Sequence, residues 1–130
     1  REALKAVVTG KNVTSGDLIS LSVEGALERM PISAVVVPSH GGSTARRLAR
    51  LRLPVWVAAV SSQEATSQAL QFSYGVHPVY EPEDPENWTA YTREWVGSQG
   101  MSGSLAILIE GPSPRNPDAN HKLEIVDLKR

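Results

Sequence analysis

The run Ala34-Val35-Val36-Val37 passes through Pro38-Ser39-His40-Gly41-Gly42-Ser43 into Thr44-Ala45-Arg46-Arg47-Leu48-Ala49-Arg50, and these residues decide the fold. A β-branched run without polar alternation is apolar on both faces, as a central strand of a parallel sheet must be. After it, Ala45, Leu48, Ala49 and Leu51 share one face and Arg46, Arg47 and Arg50 the other, which predicts an amphipathic helix from Thr44 to about Arg52. Between strand and helix lies a short turn carrying two glycines.

Working outward, the same alternation repeats. Upstream, Asp17 is a candidate N-cap for a helix carrying Leu18, Leu21, Ala26, Leu27 and Met30, which Pro31 ends. Residues 1–16, punctuated by Gly10, Asn12, Ser15 and Gly16, are expected to form an irregular entry segment. Downstream, Val55 to Val60 predicts a second strand. Ser61 and Glu64 have capping-box spacing for a helix running to Tyr74. Val76 to Tyr80 predicts a third strand. Asp84 with Pro85 marks the entry of a helix carrying Trp88, Tyr91 and Trp95 on one face, and Gly100 and Gly103 close it. Leu105 to Ile109 and a segment from Leu123 are the last two strands. Their connection, Gly111 to Asn120, is too short for a parallel crossover, so they should pair antiparallel. The expected fold is α/β: a three-layer open sheet of five strands, mostly parallel with the last strand antiparallel, and helices on both faces.

Composition narrows the function. A chain of 130 residues is one domain's worth, and 41% hydrophobic content suits a globular core. Thirteen basic against fourteen acidic residues give no cationic excess for nucleic acid or a membrane surface. There is no cysteine, which excludes disulfides, thiolate chemistry and Cys-type zinc sites. No apolar run approaches the ~20 residues that cross a bilayer, and no signal-peptide pattern is visible. A start at Arg1 rather than Met suits a piece of a longer protein.

Chemistry concentrates in Ser39, His40, Gly41, Gly42, Ser43 and Thr44. Glycines permit tight turning and close backbone approach. Amides at the helix start and the hydroxyls of Ser43 and Thr44 can donate to an anion such as phosphate. The spacing is neither that of a P-loop nor of a dinucleotide fingerprint, and an ordinary strand-to-helix turn would look similar. Open α/β sheets bind ligands where strand order reverses. If the first strand lies between the second and fourth, that crevice brings the loop Gly111 to Asn120, with Arg115, opposite Ser39–Ser43. Arg115 offers a bidentate phosphate clamp, although a Pro-rich loop with one arginine is equally what a solvated loop looks like. Aromatics at helical spacing such as Trp88, Tyr91 and Trp95 usually belong to a core, with Trp88, in the first turn, the one placed to reach a ligand. His40, His77 and His121 are too scattered for a metal site. No paired-carboxylate or nucleophile-elbow motif is present.

In order, Ala34–Arg46, Ala49 and Arg52, Ala59-Val60-Ser61-Ser62, Gly75-Val76-His77-Pro78-Val79, Trp88, Leu105–Ile109 with Gly111-Pro112, and Asn120 resemble the C-terminal domain of pyruvate kinase. The resemblance covers roughly residues 17 to 128, so residues 17–130 are expected to form a pyruvate kinase C-terminal-like domain. It implies a cytoplasmic regulatory domain that binds a phosphorylated effector, a sugar phosphate or nucleotide. Ser39, His40, Gly41, Gly42, Ser43 and Thr44 would hold one phosphate, with Trp88, Arg115 and Asn120 closing over the rest. It also implies subunit contacts in a homo-oligomer, and no cofactor in this domain. Transfer of phosphate from phosphoenolpyruvate to ADP, with magnesium and potassium, would belong to a separate barrel domain. Two positions depart from the family's bisphosphate binders. Trp95 stands where they carry an arginine, and Ser43 stands where some bacterial members place a lysine, which leaves the effector's identity open. A stand-alone phosphometabolite-binding protein or small enzyme of the same fold is the alternative.

Overall fold

A computed structural model of the chain describes residues 15–101, 103–113 and 117–129. Its elements run α1 (Ser15–Arg29), β1 (Ile32–Pro38), α2 (Ser43–Ala49), β2 (Trp56–Ser61), α3 (Glu64–Leu70), β3 (Val76–Tyr80), α4 (Trp88–Ser98), β4 (Leu105–Glu110) and β5 (Lys122–Asp127). The five strands form one sheet in the order β3-β2-β1-β4-β5. β1 is parallel to both β2 and β4, and β2 is parallel to β3. β5 pairs antiparallel with β4, Ile107 opposite Ile125 and Glu110 opposite Lys122, as the short connection between them required.

The β-branched run forms the central strand, and Ile32 to Val37 are buried without interruption. Its side chains alternate between two separate cores. Val35 and Val37 join Val57, Ala59, Ile107 and Ile109 on one face, covered by Val23 of α1, Ala45 and Leu48 of α2, and Leu70 of α3. Ala34 and Val36 join Ala58, Val60, Ala106 and Leu108 on the other, where α4 supplies Val96, Trp88, Tyr91 and Trp95. Among the described residues, three helices therefore cover one face and one aromatic helix the other.

Several element ends differ from the sequence expectations, each for a local reason. The helix expected from Asp17 begins at Ser15, and residues 1–14 of the expected entry segment lie outside the described residues. Its core-facing stripe is Val23, fully buried, with Ile19, Ala26 and Leu27 partly buried beside it, while Leu18 and Met30 are exposed. A spacing of four, three and one keeps that stripe in helical phase, and Leu18 falls outside it. α2 stops at Ala49. α3 ends at Leu70 rather than Tyr74, giving way to a turn closed by Gly75 at φ 76°. The expected Ser61–Glu64 capping box does not form. Ser61 stays in the ladder, its carbonyl accepting from Glu81 N at 2.9 Å, and its hydroxyl takes the Gln63 amide at 3.0 Å. The helix after Asp84 starts four residues later, because Asn87 is the cap: its Oδ1 accepts from Ala90 N at 2.9 Å.

Candidate functional site

Strand order reverses between β1 and β4: the chain leaves β1 toward β2 on one side and returns to β4 on the other. The carboxyl end of β1 feeds the turn into α2 and that of β4 feeds the hairpin connection to β5, leaving a crevice between the two. A cleft of about 280 Å³ occupies that place. Ser39–Thr44 form one wall, Glu110, Gly111, Pro112 and His121 the other, and Val37, Pro38 and Ile109 the floor. All six residues singled out in the first turn thus line one cavity.

The first wall is built on the sheet. The β1–β2 ladder continues past the strand end, Ser39 N donating to Val60 O at 2.8 Å. Gly42 then takes φ 84°, ψ 4°, a left-handed conformation that only glycine adopts without strain, and starts α2. A Cβ there would meet Leu70 Cδ2 at 3.1 Å and the Arg46 guanidinium carbon at 3.2 Å. The glycine therefore serves both the turn and the packing beneath it. With no side chain at the cap position, α2 has no side-chain cap hydrogen bond. The amides of its first turn have no intrahelical acceptors. Two further bonds fix the loop: Thr66 Oγ1 donates to His40 O at 2.7 Å, and Arg46 Nη1 donates to Gly41 O at 2.8 Å.

The second wall comes from the β4–β5 connection. Register alone places His121 beside Gly111, because Glu110 pairs with Lys122. The imidazole lies so close that a Cβ on Gly111 would sit 3.0 Å from His121 Nδ1. Glu110 is the one acidic residue among the lining, and its carboxylate faces Lys122 Nζ at 3.5 Å. That pair offsets the negative charge beside the cleft. The site thus offers backbone amides, two hydroxyls on Ser43 and Thr44, a third on Ser39, and two imidazoles.

The remaining expected residues are placed differently. Trp88 is half-buried against the second core, edge-to-face with Tyr91 at 5.4 Å between centroids, and is not among the residues lining the cleft. Asn120 is exposed and next to His121 but does not line it either. Arg115 lies outside the described residues. His121, Glu110 and the floor residues Val37 and Ile109 were not singled out by sequence reasoning. The hairpin register would have found His121, since it follows from where the two strands end. Among the described residues no cluster of histidines and carboxylates fit for a metal ion occurs, and no helix is long and apolar enough to cross a membrane.

Comparison with known proteins agrees with this architecture. Residues 17–123 match the family described as pyruvate kinase, alpha/beta domain. A pyruvate kinase of Thermococcus litoralis is 37% identical over 68 residues, 52% of this chain and 14% of that protein. A pyruvate kinase of Methylorubrum extorquens is 32% identical over 66 residues, again 14% of its length. The chain therefore spans about a seventh of these curated relatives. The solved structure of Cryptosporidium parvum pyruvate kinase in complex with ADP superimposes with a TM-score of 0.71 at 22% identity, over 91% of this chain and 24% of that one. At that identity the likeness speaks for the fold.

Proposed function

The chain belongs to the pyruvate kinase alpha/beta-domain family, and from that membership we propose that it is the regulatory domain of a pyruvate kinase, binding a phosphorylated small molecule in the cleft between β1 and β4. The observation that carries the proposal is the convergence of Ser39–Thr44 with Glu110–Pro112 and His121 around one cavity at the reversal of strand order. A phosphate seated there accepts from the loop amides and the hydroxyls of Ser43 and Thr44, with His40 and His121 as further donors. The sugar or nucleoside portion extends toward Gly111 and Pro112. The reading assigns transfer of phosphate from phosphoenolpyruvate to ADP to a separate domain of a longer protein. It gives this domain the tasks of sensing a metabolite and contributing contacts between subunits in the cytoplasm.

Thermal unfolding of the 130-residue chain across a panel of sugar phosphates, inorganic phosphate and ADP tests the binding. At least one phosphorylated compound at millimolar concentration is expected to raise the midpoint by several degrees, since a ligand held only by the native state stabilises it by mass action. Ser43→Asp, which puts a carboxylate at the exposed mouth of the cleft, should abolish the shift while leaving the unliganded midpoint nearly unchanged. A well-folded chain that no phosphorylated compound stabilises would contradict the proposal.

A further inference from the structure

The two carbonyls of the first wall are held from behind by side chains that do not line the cleft. His40 O accepts from Thr66 Oγ1 at 2.7 Å, and Gly41 O accepts from Arg46 Nη1 at 2.8 Å. In a trans peptide the C=O and the following N–H point in opposite directions within one rigid plane, and the chain has no cis peptide bonds among the described residues. The plane that carries the His40 carbonyl also carries the Gly41 amide, and the plane of the Gly41 carbonyl carries the Gly42 amide. Pulling both carbonyls toward α2 and α3 therefore aims both amides the other way. Gly41 and Gly42 line the cleft, whereas Thr66 and Arg46 do not. Glycine needs such an anchor more than other residues, because without a Cβ its peptide planes turn freely. A Cβ at Gly42 would press on the Leu70 side chain and the Arg46 guanidinium, so the same two helices that hold the carbonyls also leave room there for glycine alone.

We propose that Thr66 and Arg46 are positioning residues for the anion site: they hold the His40 and Gly41 carbonyls outward so that the Gly41 and Gly42 amides are presented together to a phosphate oxygen. This rests on the phosphate-binding reading of the cleft. It extends that reading to α3, which reaches the site only through the back of the loop. Thr66 is the more informative of the pair, because changing it alters no charge.

The test is NMR on the 130-residue chain and its Thr66→Val, Thr66→Ser and Arg46→Met variants, titrated with inorganic phosphate. In the wild type the Gly41 and Gly42 amide protons are expected to move downfield together on saturation. Thr66→Val keeps the side-chain shape but lacks the hydroxyl, and should weaken phosphate about fivefold, the effect of one lost hydrogen bond. Residual dipolar couplings without phosphate should show the Gly41 N–H vector turned in Thr66→Val and the Gly42 vector turned in Arg46→Met. Thr66→Ser should restore both affinity and couplings. A merely structural role for Thr66 would lower the melting temperature without turning the Gly41 vector. Unchanged couplings at Gly41 in Thr66→Val overturn the proposal, as does a turned vector with wild-type phosphate affinity. A wild type that binds neither phosphate nor any sugar phosphate overturns the binding reading itself, and the couplings then decide separately whether the clamps orient the amides.

Discussion

At Gly42 and Gly103 the backbone leaves no room for a side chain, and the two sites differ in what they support. Gly42 has φ 84° and holds the cleft wall. Gly42→Ala is expected to cost about 1–2 kcal/mol from left-handed strain. It should also weaken phosphate binding, because Leu70 and Arg46 must shift. Gly103, at φ 107°, lies where the chain enters β4, at the end of the sheet away from the cleft. A Cβ there would stand 2.6 Å from Ser33 Oγ and 2.7 Å from the Pro31 carbonyl. Gly103→Ala should destabilise by about 2–4 kcal/mol, as strained and overpacked sites do, yet leave the ligand affinity of the folded chain unchanged. Denaturant titration and a binding isotherm on both variants separate the two effects. The sequence showed the need for glycine at Gly41-Gly42, since a strand running into a helix has to turn there. It gave no hint that Gly111 must accommodate His121, because that contact depends on pairing between β4 and β5.

Among the described elements, α4 carries the most weight per residue, because it is the one described helix that packs on the second face of the sheet. It is held at its N-terminal end and along its side. Asn87 caps it, Thr89 Oγ1 donates to the Glu124 carboxylate of β5, and Arg93 Nε donates to Asp127 O at 2.9 Å. Asn87→Ala should cost about 1 kcal/mol, whereas Asp84→Ala, four residues before the helix begins, should have a smaller effect on α4. Urea unfolding of the two variants checks the assignment of the cap. Tyr91 gives this helix an alkaline signature. Its hydroxyl donates to Glu81 Oε1 at 3.1 Å. Burial, then the Glu81 charge and that hydrogen bond, push its ionisation above the ordinary tyrosine value. In the unfolded chain the phenol loses its proton above pH ~10, while the folded chain keeps it. The folded state then binds more protons, so this contribution is fully present below pH ~10 and declines as pH rises beyond it. Tyr91→Phe should flatten that part of the alkaline loss, measurable as unfolding free energy between pH 8 and 11. The aromatic stripe of α4 was legible from its spacing. Its starting point was not, because Asp84-Pro85 and Asn87 are competing helix-entry signals and only the path of the chain from β3 selects between them.

For the molecule as a whole, the order of apolar runs was enough to specify five strands and the antiparallel last pair, which follow from burial on both faces and from the length of one loop. The reversal beside β1 entered only as a condition, which the strand order meets. Both loops of the site were legible, the turn after β1 and the β4–β5 connection, whose Gly111 and Pro112 line the cleft. His121 was not, because strand register places it there, and Trp88 was drawn instead into the second core by its own apolar face. A ligand that bridges the two loops ties β1 to β4 and should slow hydrogen exchange of Ile109 and Glu110 as well as Ser39. If the cleft is the binding site, one phosphorylated molecule touches both walls at once. A crystal structure of the chain with a sugar phosphate that raises its melting temperature decides this. The expectation is phosphate density within hydrogen-bonding distance of the Gly41–Thr44 amides or hydroxyls, with the rest of the ligand against Gly111 and His121. Density for the ligand elsewhere on the surface, with the cleft between β1 and β4 unchanged, would contradict it.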